Sequence, residues 1–449
     1  MAASSSFGQT PYAPAWESLD QRPIPSWYTD AKFGIFLHWG TYSVPAYAPV
    51  GDVDLYAKYA EWYWRRLAEP QDDVHEPFNA FHERVFGPNV RYQDFASQFK
   101  AEMFDPEEWA RIFRGAGAQY VVLTSKHHEG FALWPSRYSW NWNAVDVGPH
   151  RDLAGDLTKA VREAGLRMGF YYSLYEWYNP QYRNDLERYI SDYMWPQLKE
   201  LVVSYEPDIV WADGEWEHDS SVWKSPEFLA WLYNESPVRE HVAVNDRWGS
   251  ETRSRHGGYY TTEYAIVHDG EGIDEEAARH PWEECRGIGG SFGYNRAENL
   301  EHYLSSEALV EMLVDIVSRG GNLLLNVGPT ADGRIPVIMQ QRLHDVGAWL
   351  RINGEAIFGT RRWESAPAGE RVRYTAKDDA LYAIALSWPD GSLSVPVSPA
   401  GVRRVTLLGR EEPLEWTGTA DGITIAVPPL TVDEVPSLWA HAFRIERRP

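Results

Sequence analysis

Residues that could do chemistry recur at the ends of short apolar runs. His38 closes "KFGIFLHWG", and His127 with His128 closes "AQYVVLTSKHH". Tyr171 and Tyr172 lie in "LRMGFYYSL", Asp213 closes "PDIVWADG", and Asp246 and Arg247 end "HVAVNDRWG". Glu263 falls in "GGYYTTEY", Phe292, Tyr294 and Asn295 in "GGSFGYN", and Asn326 in "GGNLLLNVGP". An acid at the end of an apolar strand, followed by glycine as Asp213 is, stands where a nucleophile or base would face a pocket; the bland alternative is an Asp capping the next turn. The adjacent histidines have three readings: metal ligands, buried structural groups, or a clamp on a polyol. On a regular strand, neighbouring side chains point to opposite faces, and two histidines on one metal favour the H-x-x-x-H spacing of a helix. The clamp is therefore preferred, because a neutral imidazole both donates and accepts. Glu61 in "YAEWYWRRL" reads alone as a surface acid, which only a loop over the pocket would recruit.

The elements that must position these groups alternate. Between the runs lie helical patterns: "FDPEEWARIFRGAG", with Asp105 as N-cap and Pro106 at its first position, "DLAGDLTKAVREAGL", and "SSEALVEMLVDIVSRGG". Strand and helix repeated over eight runs predict an α/β, (β/α)8-like TIM-type barrel, irregular where the helices after the fifth to seventh runs are poorly marked. In such a barrel the strand C-termini build the active site, so polar groups at all eight ends imply one shared pocket. From about residue 360, period-two segments broken at Asp-Gly and Pro predict a small antiparallel β-sandwich. The expected division is an N-terminal extension over 1–25, the barrel over 26–357 and the β-sandwich domain over 358–449.

Composition bounds the function. The chain has 449 residues, with 44% hydrophobic and 24% charged, as in soluble globular proteins. Its formal net charge of −23 disfavours nucleic acid or an anionic membrane as a partner. Twenty-two tryptophans and 26 tyrosines supply core rings and a minority able to stack on sugar C–H faces. The one cysteine, Cys285, excludes an intrachain disulfide and a Cys-based zinc site. "MAASSSFGQTPYAPAW" lacks the basic and apolar regions of a secretory signal, so a cytoplasmic protein is expected, a removed leader being left open.

The segments together resemble glycoside hydrolase family 29, the α-L-fucosidases. The resemblance is carried by "WYTDAKFGIFLHWGTYSVPA", "EWYWRR", "VVLTSKHHEGFALWPS", "GFYYSLYEWYNP", "PDIVWADGEWE", "FLAWLYNESPV", "VNDRWG", "WEECRGIGGSFGYNR" and "VSRGGNLLLNVGPTADGRI", and extends to "INGEAIFGT" near residue 360. It implies a retaining exo-α-L-fucosidase that works through a covalent fucosyl-enzyme, with Asp213 as nucleophile. It implies that His38, His127 and His128 bind fucose hydroxyls, and that Glu61 and Trp62 do so from a loop over the pocket. Tyr171 and Arg247 line the reacting centre, and Phe36, Tyr59 and Phe292 wall the fucose methyl. The family is not uniform in its acid/base: Glu263 is preferred, with Glu283 as the alternative, and Glu215 and Glu217 fall in the loop beyond Asp213. No metal and no cofactor are expected. The expected partner is an α-L-fucosylated oligosaccharide or glycoconjugate, with a homo-oligomer left open and transfucosylation allowed. Two rivals stand beside this reading: a non-catalytic fucose-binding barrel and a glycosidase for a similar sugar such as a β-galactoside.

Overall fold

In a computed structural model, which describes residues 10–265, 273–365 and 371–448, eight parallel strands curl into a barrel-like sheet. They are β1 (Phe33–Leu37), β2 (Tyr120–Lys126), β3 (Arg167–Ser173), β4 (Ile209–Asp213), β5 (Ala243–Val244), β6 (Tyr260–Glu263), β7 (Trp282–Gly287) and β8 (Asn322–Val327). The spatial order is β5-β4-β3-β2-β1-β8-β7-β6. Helices cover the outside, and their caps follow from sequence. Asp105 accepts the Glu108 N–H before the helix Pro106–Gly115, Asp152 caps Leu153–Glu163, and Ser305 caps Ser306–Ser318.

Strand alternation sorts the core into two layers. Phe33, Ile35 and Leu37, with Val121, Leu123, Met168 and Phe170, face the helices. Phe36, Tyr120, Val122, Tyr171, Trp211, Cys285 and Leu324 pack inside the barrel. Gly34 is needed for this filling. A Cβ there would lie 2.3 Å from the Tyr120 ring, so a side chain would overpack the interior by about 1–3 kcal/mol or more.

The irregular part is where the helix signals were weak. Strand β5 is two residues long, because the Asn245 side chain takes over its pairing. That amide donates to the Ala212 carbonyl at 2.8 Å and accepts the Ala212 N–H at 3.1 Å. No ladder joins β5 to β6 among the described residues; the Gly258 N–H bonds the Asn245 carbonyl and the Tyr259 N–H bonds that of Val244. A Cβ on Gly258 would meet the Val244 carbonyl oxygen at 1.8 Å, so glycine makes this approach possible. The expected seventh strand at 289–295 is corrected: the strand is Trp282–Gly287, and "GGSFGYN" forms the loop above it.

Beyond the barrel, β9 (Arg361–Arg362), β10 (Val372–Lys377), β11 (Ala380–Ala385), β13 (Val402–Leu407) and β16 (His441–Arg447) form one antiparallel sheet. A second holds β12 (Ser392–Val395), β14 (Trp416–Gly418) and β15 (Ile423–Ala426). Leu381, Val405, Ile425 and Phe443 lie in the core between them. The other face of the larger sheet joins the barrel core through Tyr382, Ile384 and Ala442, and Trp349 Nε1 donates to the Ala440 carbonyl at 2.8 Å. No helix among the described residues is long and apolar enough to cross a membrane.

Candidate active site

At the C-terminal ends of the strands lies a pocket of about 460 Å³. His38, Glu61, Trp62, His127, His128, Tyr171, Asp213, Arg247, Glu263, Phe36, Tyr59 and Phe292 all line it. Glu283 does not. It is enclosed in the barrel interior, two residues below Cys285 on β7 and so about 6.6 Å deeper along the strand.

Asp213 ends β4 and is buried. Its Oδ1 accepts from Arg247 Nη1 at 2.7 Å, and its Oδ2 accepts the Tyr171 hydroxyl at 2.8 Å. Burial opposes its charge, but Arg247, His128 and Arg253 outweigh burial and hold the carboxyl below the ordinary aspartate range. Arg247 Nη1 also reaches Glu263 Oε2 at 3.3 Å, and Nη2 reaches it at 3.2 Å. One nitrogen thus touches both carboxylates at 2.7 and 3.3 Å, so the two oxygens are at most 6.0 Å apart. The guanidinium sits closer to Asp213. Glu263, half-buried, has its other oxygen on the Tyr59 hydroxyl at 2.8 Å.

The "KHH" segment departs from simple alternation. The β2–β3 register shifts between Thr124 and Lys126, and the strand ends there. Lys126 points away and pairs with Glu176 at 2.6 Å, both side chains fully buried. The next two residues leave the strand, and both imidazoles line the pocket, 4.1 Å apart between ring centres.

Two of the three histidines have a tautomer set by their neighbours. Asn326 gives its amide N–H to the Phe292 carbonyl at 2.6 Å, so its Oδ1 faces His38 Nδ1 at 2.7 Å and Nδ1 carries the proton. Ser173 donates to the Tyr175 carbonyl at 2.6 Å and accepts from His128 Nδ1, also at 2.6 Å. In each ring Nε2 is left as an acceptor for a ligand hydroxyl. Burial lowers the His38 pKa to about 3 and that of His128 to about 4, and depresses His127 as well, so all three are neutral at neutral pH. Among the described residues, no three His, Cys, Asp or Glu side chains are grouped as a metal site would need.

Glu61 is recruited by a turn over the barrel. The short 3-10 turn Ala60–Trp62 buries its carboxyl, which accepts the Gly293 N–H at 2.8 Å and the Ser291 hydroxyl at 3.3 Å. Phe36, Tyr59 and Phe292 make an apolar wall, with Tyr59 and Phe292 edge to face at 5.4 Å.

The sequence reading missed several lining residues. Trp211 lies two positions before Asp213 on the same strand face, a signal that period-two counting could have used. Cys285 is in register with Glu263 on the next strand. Glu215, read as lying beyond the site, lines the pocket and pairs with Arg253 at 2.6 Å. Trp216, Ser250 and Arg253 come from loops, where no periodicity marks them, and Tyr56 and Arg66 from the short helical segments Leu55–Lys58 and Tyr63–Ala68.

With this geometry in place, likeness to known proteins assigns the chain. Residues 1–355 match the model of the alpha-L-fucosidase family, and residues 367–446 match that of the alpha-L-fucosidase C-terminal domain. The chain belongs to the alpha-L-fucosidase family. It is 45% identical to an alpha-L-fucosidase of Branchiostoma floridae over 98% of this chain and 96% of that protein. It is 43% identical to the tissue alpha-L-fucosidase of Homo sapiens over 97% and 91%. The crystal structure of Thermotoga maritima alpha-fucosidase in complex with fucose superposes with a TM-score of 0.80 at 39% identity, over 97% of this chain and all of that one. As an alpha-L-fucosidase, the chain is a glycoside hydrolase built as a (β/α)8-type barrel with a β-sandwich.

Proposed function

We propose that this fucosidase removes terminal α-L-fucose from oligosaccharides or glycoconjugates with retention, Asp213 being the nucleophile and Glu263 the acid/base. The observation that carries this reading is the single Arg247 nitrogen shared by the two carboxylates. Facing oxygens at most 6.0 Å apart fall short of the about 6.5–9.5 Å at which an inverting enzyme holds its carboxyl groups, and suit direct attack by one of them. In the first step Asp213 attacks the anomeric carbon, the glycosidic C–O bond breaks, and the departing oxygen takes a proton from Glu263. In the second step water attacks the same carbon and gives a proton to Glu263, and the bond to Asp213 breaks, restoring its carboxylate. Two inversions give net retention. Arg247 favours an ionised Asp213, and Glu263, held at longer distance and nearer the mouth, is placed to carry the exchanging proton. The three neutral histidines and Glu61 offer hydrogen bonds to the fucose hydroxyls, and the Phe36–Tyr59–Phe292 wall fits a methyl better than a hydroxymethyl group. The test is NMR of aryl α-L-fucoside hydrolysis: α-L-fucose should appear first and then mutarotate. β-L-Fucose as the first product would overturn the retaining reading.

A further inference from the structure

Glu283 has no solvent contact and does not line the pocket, yet it is well connected to it. Its Oε1 accepts the Trp211 indole N–H at 2.9 Å. Its Oε2 accepts the hydroxyls of Tyr28 at 2.9 Å and Tyr120 at 2.6 Å. All three bonds point toward the carboxyl, so both of its oxygens serve as acceptors. Trp211 in turn carries both groups that hold Asp213. The Arg247 guanidinium lies 4.5 Å from the indole centre, and the Tyr171 ring stacks on it at 5.6 Å and 22°. An indole that donates its N–H to a carboxylate is polarised toward the ring, which strengthens its attraction for a cation on its face.

We propose that Glu283 is a positioning residue, holding Trp211 as the platform on which Arg247 and Tyr171, and through them Asp213, are set. This rests on reading Asp213 as the nucleophile. It differs from an acid/base role, because the carboxyl is walled off from the pocket by the indole it holds. It differs from a purely structural role, because what it holds is the support of the two donors to one carboxylate.

The test compares Glu283→Gln, Trp211→Phe and the double variant with the parent enzyme, on a nitrophenyl fucoside and a fucosyl disaccharide, across pH. Asp213 is faced by Arg247, Arg253, His128 and Tyr171, and Arg247 also contacts Glu263. A loosened Arg247 would let the Asp213 pKa rise, so the acid limb of kcat/KM should move to higher pH. Glu283, whose pKa burial raises to about 7, carries little charge across that limb, so its replacement by Gln moves the limb only through the groups it holds. Glu283→Gln should lower kcat/KM on the order of tenfold or more, by the same factor on both substrates, as an effect on the nucleophile requires. The double variant should lose no more than the worse single one, because both act through one contact. An unchanged kcat/KM, an acid limb that stays or moves down, or losses that multiply would each overturn the proposal. A loss confined to the disaccharide, with α-fucosyl azide formed in azide, would make Glu283 the acid/base instead. If Glu283→Gln does not fold, Tyr120→Phe removes one donor to the same carboxylate and must show a smaller upward shift of the limb; an unmoved limb overturns the idea. Failure of the Asp213 reading shows separately, as an active Asp213→Gly enzyme.

Discussion

Tyr171 gives its hydroxyl proton to Asp213 at 2.8 Å, on the carboxylate oxygen that Arg247 does not hold. The two donors divide the proposed nucleophile between them, and each favours its ionised form. Tyr171→Phe removes one without altering the ring. A hydrogen bond to a charged group contributes about 1.5–3 kcal/mol, so kcat/KM should fall roughly ten- to a hundredfold. Because the Asp213 pKa is depressed in the folded enzyme, losing a donor raises it toward the ordinary value. The acid limb of the pH profile should therefore shift upward. An unmoved limb would mean that Tyr171 does not stabilise the charge.

Removing the proposed nucleophile gives a chemical signature. Asp213→Gly should lose nearly all turnover of an aryl fucoside. Azide should partly restore it by entering the space left by the carboxylate, and the product should be β-fucosyl azide, since one inversion replaces two. Near-parental activity without azide would remove Asp213 from the role.

For the histidines, the expected outcome is loss of hydroxyl binding. His128→Ala leaves the Ser173 oxygen without its imidazole partner and removes an acceptor from the pocket. The cost should be about 1–3 kcal/mol for each buried group left unsatisfied, seen as weaker fucose inhibition and slower turnover. Activity should survive chelation. Loss in EDTA, restored by a divalent ion, would show that "KHH" binds metal.

Legibility followed physical rules. The end of β4 was readable because four apolar or small residues precede an acid and a glycine, and β1 and β8 were readable for the same reason. Strand β7 was not. In "WEECRG", Glu283 is satisfied by Tyr28, Tyr120 and Trp211, and Glu284 by the Thr262 hydroxyl and the Ala265 N–H, so buried carboxylates stand where alternation expects apolar residues. The reading of 289–295 as a strand arose from that gap. Strand alternation alone would set His127 and His128 on opposite faces, and the register shift at the end of β2 defeats that rule. Trp211 was not singled out, although it both packs inside the barrel and lines the pocket.

Stability should fall as pH rises from about 4.5 to 7. Burial pushes the Glu61 carboxyl from its ordinary 4.5 up to about 7, against its hydrogen bonds, and Glu283 and Glu298 also rise to about 7. A group raised in the folded state contributes stability that is fully present below its unfolded pKa and is lost as pH climbs through the folded one. For Glu61 that window runs from about 4.5 to 7, worth roughly 3 kcal/mol at about 1.4 kcal/mol per unit. Asp213 acts in the opposite sense, but only at lower pH. Thermal denaturation across the window should show the decline, and Glu61→Gln should flatten it. A variant with the parental slope would mean that Glu61 is already ionised in the fold.

Glu263 is tested by the leaving group. A general acid matters most when the departing oxygen is a poor leaving group: an aryl oxide of low pKa departs with little help, while a sugar alkoxide does not. Glu263→Ala should therefore lose far more activity on a fucosyl oligosaccharide than on a nitrophenyl fucoside. Azide should rescue the second step without a base, and it should attack the fucosyl-enzyme from the face that water uses. The product is then α-fucosyl azide, opposite in configuration to the product from Asp213→Gly. Equal losses on both substrates for Glu263→Ala, with no azide product, would take the proton transfer away from Glu263 altogether.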